Sequence, residues 1–333
     1  MAVEVSAFGS KKARSYQLVS ETGLRLVVSN FGARLVQLWL PLADGGRNIL
    51  LGCASDEAYV QEDVYIGAMV GPVAGRLSGA EVQVSGKTYS LTVNERDYNL
   101  HGGPESLHNA YWEVLELGDR FITFETVLAD GQNGFPGPIA VRVTYRLEGN
   151  SLTIETEGES ESDTVFNPTN HAYFNLDGDV TRSIARQTLR IQADRYAPLR
   201  SDNTPTGELL PVAGTPFDFR EAAPFGQGFD KSHPQNALAQ GYDHGWELQG
   251  EGPQVVVNSA DQKVCLEMTT DQPAVVIYTY GWPVADGRKV VPHGAFTLET
   301  QVLPDAIKYP HFGDIILKAG KRFSSRTCFK FNY

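Results

Sequence analysis

The stretch IAVRVTYRLEGNSLTIETE, residues 139–157, decides the fold class of this chain. Along its first half, apolar residues alternate with polar or small ones, and the apolar positions are Ile139, Val141, Val143, Tyr145 and Leu147. This period of two is typical of a half-buried β-strand. The segment Glu148-Gly149-Asn150 then turns the chain, and Leu152 and Ile154 continue the alternation. The stretch therefore predicts an antiparallel hairpin.

Similar strand patterns recur along the chain, at residues 24–28, 33–40, 120–128, 254–258 and 263–269. The stretch EVQVSGKTYSL at 81–91 predicts another hairpin, with Gly86 at its tip. No window of a dozen residues has helical periodicity, and the 33 glycines and 18 prolines separate short strands rather than forming a linker. We therefore expect residues 1–333 to form one large all-β domain. A sandwich is favoured over a closed barrel, because so many strands would split into packed sheets.

Composition narrows the classes of partner. The net charge of −12 argues against nucleic acid and against an anionic membrane surface, which both require clustered Lys and Arg. A neutral substrate such as a sugar remains compatible with this charge. Cys53, Cys265 and Cys328 are scattered and have no CxxC spacing. With an N-terminus that lacks the apolar core of a signal peptide, these features predict a cytoplasmic enzyme.

The segment FNPTNHAYFNL at 166–176 holds the first candidate for chemistry. If its second half is a regular strand, His171, Tyr173 and Asn175 share one face, and Ala172, Phe174 and Leu176 share the other. An imidazole, a phenol and an amide on one face indicate either a site or an ordinary polar patch on a sheet. The pattern alone does not separate these two interpretations.

Four further residues are candidates for a functional site, and each of them also has an ordinary structural explanation. His101 in NLHGG is followed by two glycines, which suit either a ligand or a tight turn. Glu299 in FTLETQ is a carboxylate in an apolar strand, either on a wet face or held in a pocket. Asp243 in GYDHGW and Arg76 in GPVAGRLSGA lie near glycines, where solvated charge is the default interpretation. The sequence contains no phosphate-binding loop, no Gly-x-Ser-x-Gly elbow and no histidine spacing typical of a metal site.

Taken together, nine segments resemble the aldose 1-epimerases, also called galactose mutarotases, in the order of that family. They are SNFGA (29–33), NILLG (48–52), NLHGG (99–103), DGQNGFPG (130–137), NPTNHAYFNL (167–176), TGELLPVAGTPFDFR (206–220), GYDH (241–244), TTDQP (269–273) and LETQVLPDA (298–306). The resemblance implies a large antiparallel β-sandwich of the galactose mutarotase-like supersandwich type. It also implies an isomerase that interconverts the α and β anomers of free hexoses of the galactose and glucose class.

The resemblance further assigns roles to residues. It implies that His171 is the general acid and Glu299 the general base, with no cofactor and no metal. The residues implied to hold sugar hydroxyls are Arg76, His101, Tyr173, Asp243 and Gln272. The expected partner is therefore a small aldose, with neither nucleic acid nor membrane, and the expected state is a monomer or a homodimer.

Four departures from the family pattern bear on sugar preference. Pro72 and Gly75 stand where the family commonly has an arginine and an asparagine before the equivalent of Arg76. Gly245 replaces an asparagine that often follows GYDH, and Ser106-Leu107 replaces a glycine–aromatic pair. We expect at least one hydroxyl contact of the family to be missing here or supplied by another residue.

Three alternative functions share these residues. A hexose 6-phosphate mutarotase would need extra basic residues around the pocket, and the absence of the usual arginine at Pro72 argues against it. A non-catalytic sugar-binding protein would not need both His171 and Glu299. A glycosidase would use two carboxylates, such as Glu299 and Asp243.

Overall fold

The computed structural model describes residues 3–43, 45–62, 65–280 and 290–333. Regular secondary structure in these ranges is mainly β. The two α-helices have six residues each, α1 (Asp56–Gln61) and α2 (Pro234–Ala239). Short 3₁₀-helices lie at Ser78–Ala80, Leu107–Asn109, Gln132–Gly134, Ile184–Arg186, Phe225–Gly228, Ala306–Lys308 and Pro310–Phe312. Within the described ranges, no helix has the length and apolar character needed to span a membrane.

The strands of the first half of the chain are β1 (Glu4–Phe8), β2 (Ser10–Val19), β3 (Arg25–Ser29), β4 (Arg34–Leu42), β5 (Gly45–Asn48), β6 (Leu50–Leu51), β7 (Met69–Val70), β8 (Arg76–Leu77), β9 (Glu81–Val84), β10 (Lys87–Ser90), β11 (Asn99–Leu100), β12 (Glu113–Gly118), β13 (Phe121–Leu128), β14 (Ile139–Glu148) and β15 (Ser151–Ser160). Those of the second half are β16 (Thr164–Val165), β17 (Thr169–Asn170), β18 (Tyr173–Phe174), β19 (Thr188–Ile191), β20 (Arg195–Ala197), β21 (Leu210–Pro211), β22 (Ala223–Pro224), β23 (Asp243–Glu247), β24 (Val255–Asn258), β25 (Cys265–Thr270), β26 (Ala274–Tyr278), β27 (Phe296–Thr297), β28 (Glu299–Gln301), β29 (Ile316–Leu317) and β30 (Arg322–Asn332).

Both predicted hairpins are confirmed. Strands β14 and β15 pair antiparallel from Glu148 opposite Ser151, so two residues form the turn. Strands β9 and β10 are joined by Ser85 and Gly86, whose φ angles are 49° and 78°. Positive φ at both central positions is what a two-residue hairpin turn of type I′ requires, because its twist matches that of the strands.

The strands form antiparallel sheets that pack around a shared core. The largest sheet has nine strands in the order β12-β13-β14-β15-β30-β25-β24-β19-β22. One five-stranded sheet has the order β1-β2-β3-β4-β5, and a second has the order β21-β20-β23-β26-β28. Side chains from all three sheets meet in one buried cluster, among them Leu26, Val143 and Trp246. This packing of sheet on sheet is the predicted sandwich.

The second five-stranded sheet presents different residues on its two faces. Alternate residues point into the shared core, namely Tyr196, Trp246, Val275 and Ile277. Their neighbours along the same strands, such as Asp243 and Val276, point the opposite way. That opposite face of the sheet borders the main cavity of the described structure.

The predicted regular strand after Pro168 is only partly correct. Thr169 and Asn170 pair with β7, whereas Tyr173 and Phe174 pair with β27 and β6, so the strand breaks at His171 and Ala172. The break arises because the two halves of the segment join different strands. Asn175 does not share a site with His171: its amide donates a 2.7 Å hydrogen bond to the carbonyl oxygen of Gly294 and stabilises the local chain.

Candidate active site

A cavity of about 640 Å³ lies against the second five-stranded sheet. Of the seven residues that the sequence predicts for a site, six line this cavity: Arg76, His101, His171, Tyr173, Asp243 and Glu299. They come from segments far apart in the chain, including β8, β18, β23 and β28. The structure therefore brings together most of a constellation that the sequence offers only as separate motifs.

The strand register explains how part of the cavity wall is built. Ala197 lies opposite Gly245, Gly245 opposite Val276, and Val276 opposite Glu299. Directly paired residues point to the same face of a sheet. These four residues therefore form one row across β20, β23, β26 and β28, and Glu299 stands at the end of the row.

The histidine stands on the other side of Glu299. Tyr173 of β18 lies opposite Thr297 of β27; His171 precedes Tyr173 by two residues and Glu299 follows Thr297 by two, so the antiparallel direction places both at the same end of this pair. The observed distance from His171 Nε2 to Glu299 Oε1 is 3.4 Å. Glu299 thus lies between His171 on one side and Val276 on the other.

Glu299 is a buried carboxylate with few partners. It is 3% exposed, and the Thr297 hydroxyl donates a 2.8 Å hydrogen bond to Oε1. Burial raises the pKa of Glu299 above its ordinary value, although His171 and the Thr297 hydroxyl oppose this shift. A carboxylate with a raised pKa is a stronger base than one in water. These properties suit a proton acceptor.

His171 is fixed by its backbone on both sides. Its N–H donates to the Ala68 carbonyl oxygen at 2.8 Å, and its own carbonyl oxygen accepts from Gly67 at 2.9 Å. The Nδ1 atom is enclosed and has no hydrogen-bond partner among the described residues. The ring contacts the rings of His101 and Tyr173, with centroids 5.1 and 5.0 Å away. Nε2 is therefore the nitrogen directed at Glu299.

His101 is held in one tautomer by the backbone. Its Nδ1 accepts a 3.2 Å hydrogen bond from the Gly75 N–H, so in the neutral ring the proton is on Nε2. Burial lowers the pKa of His101 well below its ordinary value, and the nearby charges of His171 and Arg76 act in the same direction. His101 is therefore a neutral ring with an N–H donor, suited to an oxygen acceptor in the cavity.

The glycines after His101 serve close packing. A Cβ on Gly102 would lie 2.0 Å from the Gly71 carbonyl oxygen, and a Cβ on Gly103 would lie 2.8 Å from the Asn133 side chain. Both glycines also have positive φ, 85° and 92°, which favours glycine. The Gly-Gly pair thus makes a tight turn that holds His101 against the segment before Arg76.

Arg76 and Asp243 form a partly buried ion pair. Arg76 Nη1 donates to Asp243 Oδ2 at 3.0 Å, and Arg76 Nε donates to the Tyr98 hydroxyl at 3.3 Å. Burial alone would lower the pKa of Arg76, but the carboxylates of Asp243 and Glu95 raise it overall. Burial likewise raises the pKa of Asp243, against the attraction of Arg76. The pair offers donors and an acceptor at fixed positions, a combination suited to vicinal hydroxyls.

The structure does not bring Gln272 to this cavity. Gln272 lies in the turn before β26, and its amide nitrogen donates to Asp271 Oδ1 at 3.0 Å. Val276 lines the cavity four residues further along, which corresponds to about 14 Å in a strand. Gln272 is therefore not among the residues that line this cavity, because the TTDQP turn lies at the far end of β26.

Several cavity residues are not among the site residues predicted from the sequence, namely Tyr65, Glu95, Tyr278 and Gln301. Gln301 is two residues from Glu299 on the same face of β28, a spacing that could have identified it. It is fully enclosed, and neither its Oε1 nor its Nε2 has a partner among the described residues. Tyr65 contacts both His101 and His171 through its ring, but its position has no marker in the sequence.

Three of the cavity side chains could together bind a metal ion. His101, His171 and Glu299 each offer one ligand atom, and these atoms lie within 4.8 Å of one another. Two histidines and a carboxylate suit a divalent cation such as Zn²⁺. The same three groups also suit proton transfer and hydrogen bonding to a hydroxyl, so geometry allows both kinds of chemistry.

A family model, curated relatives and solved structures all place this chain with the same family of proteins. Residues 14–330 match the family model described as aldose 1-epimerase. The chain is 36% identical to an aldose 1-epimerase of Haemophilus influenzae, covering 99% of both chains, and 33% identical to human galactose mutarotase, covering 97% of this chain and 95% of that protein. Among solved structures, an aldose epimerase homologue from C. elegans superposes with a TM-score of 0.88 at 26% identity, covering 100% and 99% of the two chains.

Proposed function

Because this chain belongs to the aldose 1-epimerase family, it is an isomerase that interconverts the anomers of aldose sugars, and we propose that His171 and Glu299 transfer the protons. The observation that carries the proposal is the buried pair with Nε2 and Oε1 3.4 Å apart on the cavity wall. Ring opening removes a proton from the C1 hydroxyl and delivers one to the ring oxygen. Both oxygens are bonded to C1, so an adjacent base and acid can serve them together.

The proposed reaction begins with ionised Glu299 and protonated His171. Glu299 takes the proton of the C1 hydroxyl while the bond between C1 and the ring oxygen breaks. The electron pair of that bond goes to the ring oxygen, which takes the proton of His171 and becomes the C5 hydroxyl. After rotation about the C1–C2 bond, the C5 hydroxyl attacks the other face of the aldehyde. Each side chain then reverses its first transfer, and the enzyme ends as it began.

The remaining cavity residues are proposed to hold the other hydroxyls. His101 would donate from Nε2, and Arg76 and Asp243 would supply donors and an acceptor that already bond one another at 3.0 Å. Tyr173 is 2% exposed and packs against His171, so it would fix the imidazole as well as contact the sugar. A hydrogen bond to Arg76 or Asp243 contributes about 1.5–3 kcal/mol, because the partner is charged, and a bond to neutral His101 contributes about 0.5–1.5 kcal/mol.

We propose that the reaction proceeds without a metal ion, although His101, His171 and Glu299 could bind one. A cation bound to Glu299 and His171 would occupy the lone pairs that the proton transfers need. Activity should therefore be unchanged by a chelator. Loss of activity with chelator and its return with Zn²⁺ would assign the trio to metal binding instead.

The proposed substrates are free hexoses of the galactose and glucose class. A hexose 6-phosphate is the second candidate, because Arg96 and Lys231 also line the cavity and are exposed to solvent. The free sugar is favoured because Arg76 is already paired with Asp243 and Glu95, and the buried Glu299 carboxylate would repel a phosphate. Mutarotation rates on glucose and on glucose 6-phosphate distinguish the two substrates.

The proposal also includes the cellular location and the oligomeric state of the protein. A cytoplasmic location is supported by Cys53, Cys265 and Cys328, which are all free, as is usual in a reducing compartment. Residues 1–333 as one domain, and a monomer or homodimer in solution, stay predictions. Size-exclusion chromatography with light scattering tests the oligomeric state.

Polarimetry tests the proposed function directly. Freshly dissolved α-glucose and α-galactose should reach their equilibrium rotation faster with the protein than without it. The variants His171→Asn and Glu299→Gln, which are close in shape to the native residues, should lose this acceleration. A variant that keeps the wild-type rate would remove that residue from its proposed role, and binding of sugar without any acceleration would make this a sugar-binding protein.

A further inference from the structure

The row of residues beside Glu299 has no hydrogen-bonding side chain. Ala197, Gly245 and Val276 continue the row across three strands, and all three line the cavity. Each offers only a hydrogen atom, a methyl group or an isopropyl group on this face. Ala197, Gly245 and Val276 together form an apolar strip on the cavity wall.

Packing keeps a longer side chain out of the strip. A Cβ on Gly245 would lie 2.3 Å from Leu303 Cδ2, so Leu303 already occupies the space of a side chain there. Gly75, also on the cavity wall, is restricted in the same way, because its Cβ would lie 2.8 Å from two atoms of the Pro304 ring. Leu303 and Pro304 thus fill the space that side chains at Gly245 and Gly75 would need. Polar side chains are therefore excluded at both positions.

The order of residues along the row orients the sugar. His171, Glu299 and then Val276 follow one another, with His171 and Val276 on opposite sides of Glu299. In the proposed reaction, His171 faces the ring oxygen and Glu299 faces the C1 hydroxyl. The ring oxygen and C2 are the two ring neighbours of C1, so C2 is directed away from His171. Adjacent strands are about 4.8 Å apart, which brings the C2 substituent over Val276, the member of the strip next to Glu299.

We infer that the apolar strip contacts the C2 substituent of the sugar, and that this enzyme therefore accepts 2-deoxyaldoses as readily as the corresponding 2-hydroxy sugars. The inference rests on the proposed function, since it takes the roles of His171 and Glu299 as given. A site that hydrogen-bonds a substrate hydroxyl rejects the analogue without it by about 10⁴–10⁵-fold, because its own polar groups are left unpaired. A site with no polar group at that position has nothing to leave unpaired.

Two neighbouring polar side chains, those of Gln301 and Asp243, lie away from the strip. Gln301 lies two residues beyond Glu299 and pairs with Ala274 rather than with Val276, and its side chain has no exposed surface. Asp243 lies two residues from Gly245 on β23, about 7 Å along the strand, and its Oδ2 is already paired with Arg76. These groups are therefore assigned to other positions of the ring.

The experiment compares kcat/KM for 2-deoxyglucose and glucose by polarimetry, each corrected for spontaneous mutarotation. For the wild type we expect a ratio near one. In Val276→Gln, which places an amide in the strip, the ratio should fall at least tenfold, because the amide loses its partner when the 2-hydroxyl is missing. In the matched control Val276→Leu, which is similar in size and apolar, the ratio should stay within about threefold of the wild type.

A second deoxy sugar tests whether the effect is specific to C2, and a third variant provides a result if Val276→Gln does not fold. The ratio for 6-deoxygalactose over galactose should be the same in Val276→Gln and Val276→Leu, since C6 does not face the strip. Val276→Thr keeps the native shape and adds one hydroxyl, so a smaller fall in the 2-deoxy ratio is expected even if Val276→Gln does not fold.

Three outcomes separate the inference from the function on which it rests. A wild-type ratio below one-tenth overturns the inference, and so does the absence of any fall in the ratio in the polar variants relative to Val276→Leu. In either case, mutarotation of glucose that depends on His171 would leave the proposed function intact. Failure of the wild type to accelerate mutarotation of both sugars would overturn the proposed function itself.

Discussion

Replacing Glu299 by glutamine should lower activity and raise stability at the same time. Glu299 is 3% exposed, and burial raises its pKa above the ordinary value of 4.5. As pH rises past 4.5, the unfolded chain ionises this group first, and the folded chain must later bury the charge. A group whose pKa is raised on folding therefore lowers the free energy of unfolding above its unfolded pKa. Glutamine has a similar shape, can still accept the Thr297 hydrogen bond, and carries no charge.

The two expected effects have different sizes. Loss of a general base slows the chemical step by about 10²–10⁴-fold, which corresponds to about 3–5 kcal/mol of transition-state stabilisation. Removal of a buried charge that is partly compensated by His171 and Thr297 should raise the free energy of unfolding by about 1 kcal/mol. At about 2.1 cal/mol/K per residue, the unfolding entropy of 333 residues moves Tm by about 1.4 °C for each kcal/mol.

The assays are polarimetry for activity and calorimetry for Tm at pH 7.5 and pH 4. Glu299→Gln should unfold about 1–2 °C above the wild type at pH 7.5, and the difference should be much smaller at pH 4, where the wild-type carboxyl is mostly protonated in both states. Glu247→Gln serves as control, because this residue lies on the same sheet in a solvent-accessible ion pair with Arg195. Lower stability of Glu299→Gln at pH 7.5, or a Tm difference independent of pH, would refute the electrostatic reasoning. Unchanged kcat would refute the assignment of the base.

The other predictions concern the acid, the pH profile and the binding residues. His171→Asn should lower kcat by about 10²–10⁴-fold with the fold retained, as measured by polarimetry and circular dichroism, and full activity would exclude His171 as the acid. The acid limb of log(kcat/KM) should lie above pH 4.5, because Glu299 must be ionised and its pKa is raised; a limb at or below pH 4.5 would contradict this. Asp243→Ala should lower kcat/KM by about 10–100-fold, since a sugar hydroxyl and Arg76 both lose a charged partner, and an unchanged value would make Asp243 structural. Gln272→Leu should leave kcat and KM within about twofold of the wild type, and a larger loss would restore Gln272 to the site.

The sequence determined the local structure of this protein. The alternation at 139–147 and the turn that follows it specify a hairpin without reference to the rest of the chain, and the structure has that hairpin. The same holds for EVQVSGKTYSL, where Gly86 permits a turn with positive φ. Such features follow from side-chain periodicity and backbone sterics, which act between near neighbours in sequence. The resemblance to a family was also contained in the order of the motifs.

Only the tertiary structure decided which candidates share a site. Glu299 and Gln272 both lie in segments that match the family, yet Glu299 in β28 faces the cavity and Gln272 lies in a turn at the far end of β26. The apolar strip was equally hidden, because a row across a sheet joins residues such as Ala197 and Val276 through hydrogen bonds between strands that are distant in sequence. The register of those strands is set by burying one face of each strand in the shared core. That constraint acts across the whole molecule, and it is the reason why the chemistry of the cavity could not be read from any single segment.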